Sequence, residues 1–230
     1  MSNIALIPAR SGSKGFIDKN IAKVCGTTLI ELAINVAKNS SRVDDVYIST
    51  DSPKYQQLAK DAGARSLGLR SEKLAGDDIK TIDVITDFIE KFPGEITNLI
   101  LLQPTSPIRS PAQIDAMLYQ LDKDNADAVV SIEKINEPHP YKMKTIENGY
   151  ISEFVSGSSS EVPRQLMPEV FKLTGSIYVN RIGSLLRDKT FLPEKTVGYL
   201  MKKTINIDTE EDYILLLALH EKKKIHVYGV

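Results

Sequence analysis

The sequence predicts an α/β fold, a mostly parallel β-sheet covered by helices on both faces. Two observations carry that prediction. Short apolar runs alternate along the chain with amphipathic stretches of helical spacing, the rhythm of βαβ units. The 230 residues, 42% hydrophobic and 26% charged, suffice for one large or two small domains with a substantial core.

In order, "NIALIPA" reads as the first strand, and "TTLIELAINVAKNS" as a helix with apolar residues at Leu29, Ile30, Leu32, Ala33, Val36 and Ala37. "DDVYISTD" is a second strand, followed by a helix over Ser52–Ala62. "TIDVITDFIEKF" is helical, and "ITNLILLQP" is a third strand ended by Pro104. A helix over Pro111–Asp122 and a strand in "ADAVVSIEKI" complete the regular part. Residues 136–170, rich in Pro, Ser, Gly and charge, break the rhythm and read as an inserted hairpin arm, able to reach over a site or into a partner subunit. "FKLTGSIYVN" returns as a strand, Thr209–Lys222 is the last helix, and "KIHVYGV" is expected to be the last strand. No repeat or low-complexity segment interrupts this order, so residues 1–230 are expected to form one domain carrying the arm.

Totals exclude several functions. A net charge of −1 argues against general nucleic-acid binding, which needs a basic surface. Cys25 is the only cysteine, which rules out an intrachain disulfide, and His139, His220 and His226 form no ligand pair at helical spacing. Arg10 comes too early for a secretory apolar region, and no apolar run approaches membrane-spanning length, so the expected location is cytoplasmic.

Positive charge is instead local. In "IALIPARSGSKGFIDKNI" the first strand runs into Arg10, Lys14 and Lys19 on a backbone loosened by Gly12 and Gly15. A strand, a glycine-containing loop and a helix place backbone N–H groups where a phosphate can sit. Neither the G-x-x-x-x-G-K-[ST] nor the G-x-G-x-x-G spacing is present, which weighs against P-loop kinases and dinucleotide oxidoreductases. Composition leaves two readings of the loop open, a triphosphate clamp and a solvated basic turn.

The loop resembles that of the CMP-N-acetylneuraminate synthetases, the acylneuraminate cytidylyltransferase family, whose pattern is A-R-x-x-S-K-G-x-x-x-K-N. Ala9, Arg10, Ser13, Lys14, Gly15, Lys19 and Asn20 supply every fixed letter; Ile17 stands where many members have proline. "STD", "LRSEKLAGDD", "LLQPTSPIR", "HPYK", "PRQLMPEVFKLTGSIYVN" and "INIDTEED" follow in the family's order across almost the whole chain.

The resemblance implies a Rossmann-like sheet of the nucleotide-diphospho-sugar transferase type, with the insertion at 136–170 as a dimerisation arm of a homodimer. It implies CTP and a nonulosonic acid as substrates, most simply N-acetylneuraminate, with attack of the anomeric hydroxyl on the α-phosphate and loss of pyrophosphate. Arg10, Lys14 and Lys19 would neutralise phosphate charge, with Arg10 and Lys19 catalytic. Ala9, Ser13, Asn20, Arg70, Ala75 and Thr81 would complete the nucleotide site. Gln103, Thr105, Ser106, Lys142, Arg164, Tyr178 and Phe191 would form the sugar site, Arg164 pairing with the sugar carboxylate and Phe191 reaching the neighbouring subunit. The family's D-x-D, two carboxylates on one strand face that hold Mg²⁺, reads here as Asn206 and Asp208. Asp208 is therefore the expected main metal ligand and a candidate acceptor of the hydroxyl proton, and the role of Asn206 is open. Alternatives are the same reaction on legionaminate or pseudaminate, and a sugar-nucleotide-binding homologue without catalysis. CMP-Kdo synthesis is disfavoured by the S-K-G and K-N of the loop, and a metal-dependent glycosyltransferase by the lack of an early D-x-D.

Overall fold

The computed structural model describes residues 2–12, 15–76 and 78–230. The chain opens with β1 (Asn3–Pro8), a short hairpin of β2 (Lys23–Val24) and β3 (Thr27–Thr28), then α1 (Leu29–Lys38), β4 (Asp45–Ser49) and α2 (Pro53–Asp61). Next come α3 (Thr81–Lys91), β5 (Asn98–Leu101), α4 (Pro111–Lys123) and β6 (Ala128–Ile135). The arm carries β7 (Lys144–Glu147) and β8 (Tyr150–Glu153), and the chain ends with β9 (Val170–Arg181), α5 (Ile182–Asp188), β10 (Thr196–Met201) and α6 (Glu210–Glu221).

Among the described residues the central sheet has the strand order β10-β6-β9-β5-β1-β4. β1 pairs in parallel with β4 and β5, and β10 with β6, while β9 runs antiparallel to both β5 and β6 and bulges around Gly175, where its register with β6 shifts. Successive residues of β1 point to opposite faces. Ala5 and Ile7 pack in one cluster with Ile30 and Ala33 of α1, Ala59 of α2 and Met117 of α4. Ile4 and Leu6 pack in another with Ile85 and Phe88 of α3 and Leu185 of α5. Helices thus cover both faces, as the sequence pattern implies.

The helix starts are chemically marked. Thr28 caps α1 and Thr209 caps α6, each in a reciprocal box with the acid three residues on, and Ser52 caps α2. The segment between β6 and β9 holds the antiparallel β7–β8 hairpin. Two expectations need correction. "KIHVYGV" is not a strand: Val227 is buried against α6 and the β2–β3 region, but the backbone there pairs with no sheet strand. Alternating apolar residues report a buried side, and burial does not require a ladder partner. β10 and α5 are additional elements, β10 forming the edge of the sheet beside β6.

Candidate active site

The chain segments leaving the carboxyl ends of β1, β4, β5 and β10 converge with the start of α3, where open α/β sheets bind ligands. A cleft of about 340 Å³ opens there. Arg10, Lys19 and Asn20 line it from the first loop, Arg70 and Thr81 from the segment before and at the start of α3, and Gln103 and Thr105 from the exit of β5. Asn206 and Asp208 close it from the chain that precedes α6. Ser13 and Lys14 lie outside the described residues.

Side chains of the neighbouring elements tie down the first loop. The Ser11 amide and hydroxyl donate to the two oxygens of Asp51 at 2.8 and 2.7 Å. The Asn20 amide donates to the Arg10 carbonyl at 2.9 Å, so this buried side chain pins the backbone beside the cleft. Arg10 Nη1 donates to the Gly12 carbonyl at 3.4 Å. Phe16 packs on Tyr213 of α6, with ring centroids 5.3 Å apart. Gly15 is required by proximity: a Cβ there would lie 2.7 Å from the Asp208 carbonyl oxygen, inside contact distance.

Asp51 joins this loop to Arg70, whose Nη2 lies 3.8 Å from Asp51 Oδ1. Burial alone would raise the Asp51 pKa, but the donors from Ser11 and the Arg70 charge outweigh it and hold the carboxyl below the ordinary range. Arg70 is itself buried, and burial lowers its pKa; Asp51 opposes that shift and nearby Arg10 adds to it. Among the described residues its Nε and Nη2 have no hydrogen-bond partner, so donors remain for a ligand at the cleft wall. Thr81 is the first residue of α3 and Lys80 its N-cap, so the Thr81 hydroxyl is not consumed by capping. Ala75 sits between the lining residues Leu74 and Gly76 without lining the cleft itself, and Ala9 is buried, its amide donating to Ser49.

The Asn206–Asp208 pair is held from three sides. Lys19 Nζ lies 2.9 Å from Asp208 Oδ1, and the Asn206 side-chain amide donates to Asp208 Oδ2 at 2.8 Å. A carboxylate only accepts, so the Asn206 nitrogen must face Asp208. Its oxygen then faces the other way and accepts from Thr105 Oγ1 at 3.1 Å and Ser106 Oγ at 2.9 Å. Thr209, not Asp208, caps α6. Asp208 offers the one carboxylate beside Asn206 suited to a hard divalent cation, and the Asn206 oxygen is engaged by two hydroxyls. Among the described residues no cluster of three or more His, Cys, Asp or Glu forms a metal cage, so any Mg²⁺ here would draw its remaining ligands from a bound triphosphate and water.

A second cleft of about 330 Å³ adjoins the first and shares Gln103 and Asn206 with it. Tyr178, Thr174, Gly175 and Lys172 of β9 form its floor and flank. Ser106 is fully buried, so it supports Asn206 rather than presenting a surface. Lys142 and Arg164 sit in the arm, both near Glu137 at 3.5 and 3.8 Å, and line neither cleft. Phe191 packs against Tyr178 of its own chain, with centroids 5.5 Å apart.

Asp51, Gly175 and Arg109 also serve this region, and sequence reasoning assigned them no role. Arg109 is buried and donates from Nη1 to the carbonyls of Gln103 and Ser176 at 2.8 and 2.7 Å, joining the two walls. Burial without a carboxylate partner pushes its pKa down to about 9. Asp51 and Arg109 both follow strands at the carboxyl edge, a position that could have marked them.

Comparison with known proteins shows the family: the chain belongs to the cytidylyltransferases. A family model described as "Cytidylyltransferase" matches residues 4–165. An N-acylneuraminate cytidylyltransferase of Streptococcus agalactiae serotype III is 32% identical over 223 residues, covering 95% of this chain and 53% of the relative. The chain thus spans about half the length of that relative. A CMP-N,N'-diacetyllegionaminic acid synthase of Legionella pneumophila is 32% identical over 227 residues, covering 96% of this chain and 97% of the relative. Among solved structures, a CMP:2-keto-3-deoxy-manno-octonic acid synthetase complexed with CTP superposes with a TM-score of 0.73 at 20% identity, covering 97% of this chain and 100% of the other, a likeness of fold.

Proposed function

Because the chain belongs to the cytidylyltransferase family, we propose that it transfers CMP from CTP to a nonulosonic acid, most simply N-acetylneuraminate, releasing pyrophosphate. One observation carries the reading: two clefts, one lined by cations and one mostly by neutral polar groups, meet at Gln103 and Asn206. A nucleotide in the first and a sugar in the second would bring the attacking hydroxyl and the α-phosphate together at that junction.

Arg10 and Lys19 supply positive charge for the phosphate oxygens, Arg10 through a fork that can grip two oxygens and Lys19 as a point charge. Lys14 and Ser13 of the same loop are proposed as further phosphate contacts. Arg70, with unpartnered donors, and the Thr81 hydroxyl are proposed for the base and ribose. Gln103, Thr105 and Tyr178 offer neutral contacts to the sugar. A bound Mg²⁺ would neutralise the triphosphate, and Asp208 is the side chain proposed to hold it. Asp208 and Lys19, paired in the chain, also set the spacing between carboxylate and cation at the reacting end of the cleft.

A homodimer is part of the proposal. Ile146 and Ile151, cross-strand partners on one face of the β7–β8 hairpin, are 74% and 69% exposed, an apolar surface suited to a second copy of the arm. Lys142 and Arg164, remote from this chain's own clefts, would then be placed to serve a neighbour's sugar site.

Legionaminate is the second reading, favoured by the end-to-end match to the Legionella relative. Incubation with CTP, Mg²⁺ and a panel of nonulosonic acids, followed by pyrophosphate release, tests both. Release with N-acetylneuraminate supports the first reading and release with a legionaminate alone the second; no release with any sugar overturns the enzyme.

A further inference from the structure

The sugar half of the cleft holds a cation that the family pattern does not assign. Among the described residues lining it, Lys172 alone is charged. It stands on β9 directly opposite Glu133 of β6, and its Nζ lies 3.4 Å from Glu133 Oε2.

That contact leaves the ammonium available. Glu133 Oε2 already accepts from the Thr204 amide at 3.0 Å and the Thr204 hydroxyl at 2.6 Å, so Lys172 is its third and most distant partner. The Lys172 side chain is half exposed while that of Glu133 is mostly covered, so the carboxylate is fixed and the cation reaches outward. An ammonium has three donors, and this contact is an ion pair without hydrogen-bond geometry, which leaves them for a ligand. Thr204, which anchors Glu133, lines the same cleft as Lys172. The other two cations expected to serve the sugar, Lys142 and Arg164, are held at Glu137 in the arm.

Resting on the reading of the cleft as a nonulosonate site, we propose that Lys172 is the chain's own contact for the sugar carboxylate, held at the cleft by Glu133. The ligand class is an α-keto acid sugar, whose carboxylate would complete the coordination of the ammonium. A sugar lacking that carboxylate would lose the contact.

The test compares wild-type protein with Lys172→Met and Lys172→Arg in the pyrophosphate assay, with thermal unfolding alongside. Loss of one charge-assisted hydrogen bond should raise KM for the sugar about ten- to a hundredfold in Lys172→Met. KM for CTP and the melting temperature should stay at wild-type values, and Lys172→Arg should recover most of the sugar affinity. If the wild type turns over a sugar and Lys172→Met shows the same KM for it, Lys172 is only a cross-strand ion pair and the proposal falls while the enzyme reading stands. If CTP and sugar KM change together, or the arginine variant restores nothing, the carboxylate contact is likewise overturned. If the wild type turns over no sugar at all, the enzyme reading fails and this inference fails with it.

Discussion

Gly175→Ala perturbs the site sharply while substituting none of its functional side chains. Gly175 has φ +73°, where an L side chain costs about 1–2 kcal/mol. The added Cβ would lie 2.8 Å from Gln103 Oε1 and 3.2 Å from Ser106 Oγ. Gln103 is the end of a flexible chain and can swing away, but it then leaves the wall shared by the two clefts. Ser106 is fully buried and must shift by a few tenths of an ångström, and its hydroxyl is the donor that orients Asn206 toward Asp208. The reduced freedom of the unfolded alanine chain returns about 0.4–1 kcal/mol. A net loss of about 1–2 kcal/mol follows, lowering the melting temperature by about 2–8 °C in a chain of this size. Misplacing Gln103 and Asn206 by a fraction of an ångström should cost about ten- to a hundredfold in kcat/KM for pyrophosphate release. Differential scanning calorimetry and steady-state kinetics on one preparation read both effects. A drop in melting temperature with unchanged kcat/KM would show that the bulge does not support the site; no change in either would refute the geometry.

Three further outcomes follow from the same structure. Asn206→Asp replaces the bridging amide with a second carboxylate facing Asp208, a repulsion of about 1 kcal/mol at water-like screening and about 4 kcal/mol at an effective dielectric of 20 for charges about 4 Å apart. A divalent cation relieves it, so Mn²⁺ affinity measured calorimetrically without nucleotide should rise about tenfold or more; an unchanged affinity would mean the position does not face the metal. Arg109→Met strands the carbonyls of Gln103 and Ser176, about 1–3 kcal/mol each, partly offset by removing a buried charge. The urea midpoint should fall by an amount worth about 2–4 kcal/mol, and an unchanged midpoint would refute the bridging role. Asp51 and Asp115 both titrate below their ordinary value of about 3.9, so their contribution is full above that pH and is lost as pH falls through the folded-state values. The stability gap between wild type and Asp51→Asn should therefore close as pH falls below the ordinary carboxylate value; a gap constant with pH would contradict the shift.

Periodicity exposed the sheet and its helices because buried elements repeat their apolar residues locally. Caps such as Thr28 and Ser52 sit where the pattern begins. The terminal "KIHVYGV" misled for the same reason in reverse: its alternation records Val227 turned into a core, while no strand lies alongside. The cationic cleft was readable as a cluster because Arg10, Lys19 and Asn20, which line it together, lie within eleven residues of one another. Lys172 and Gly175 were not readable as site residues, because their meaning depends on Glu133 across the ladder and on Gln103 from another strand. Arg109 ends the "LLQPTSPIR" block, yet only burial distinguishes it from a surface charge.

The order of partners around Asp208 explains why an asparagine two residues earlier need not disable the site. Lys19 comes from the start of the chain, and Gly15 lets that loop approach the Asp208 backbone. With two carboxylates at 206 and 208, a single lysine would face two negative charges and the pair would depend on a cation to coexist. With Asn206 the amide satisfies one Asp208 oxygen and Lys19 the other, so the arrangement is neutral and complete within the chain itself. Relative to a D-x-D pair, the asparagine gives up one carboxylate and holds the other by a hydrogen bond. Gly175 leaves room for Ser106, and the Ser106 hydroxyl, with that of Thr105, donates to the Asn206 oxygen and so turns its amide toward Asp208. On this reasoning the asparagine and the glycine bulge act on a single object, the orientation of Asp208, and combining Asn206→Asp with Gly175→Ala should give effects on kcat/KM that do not add.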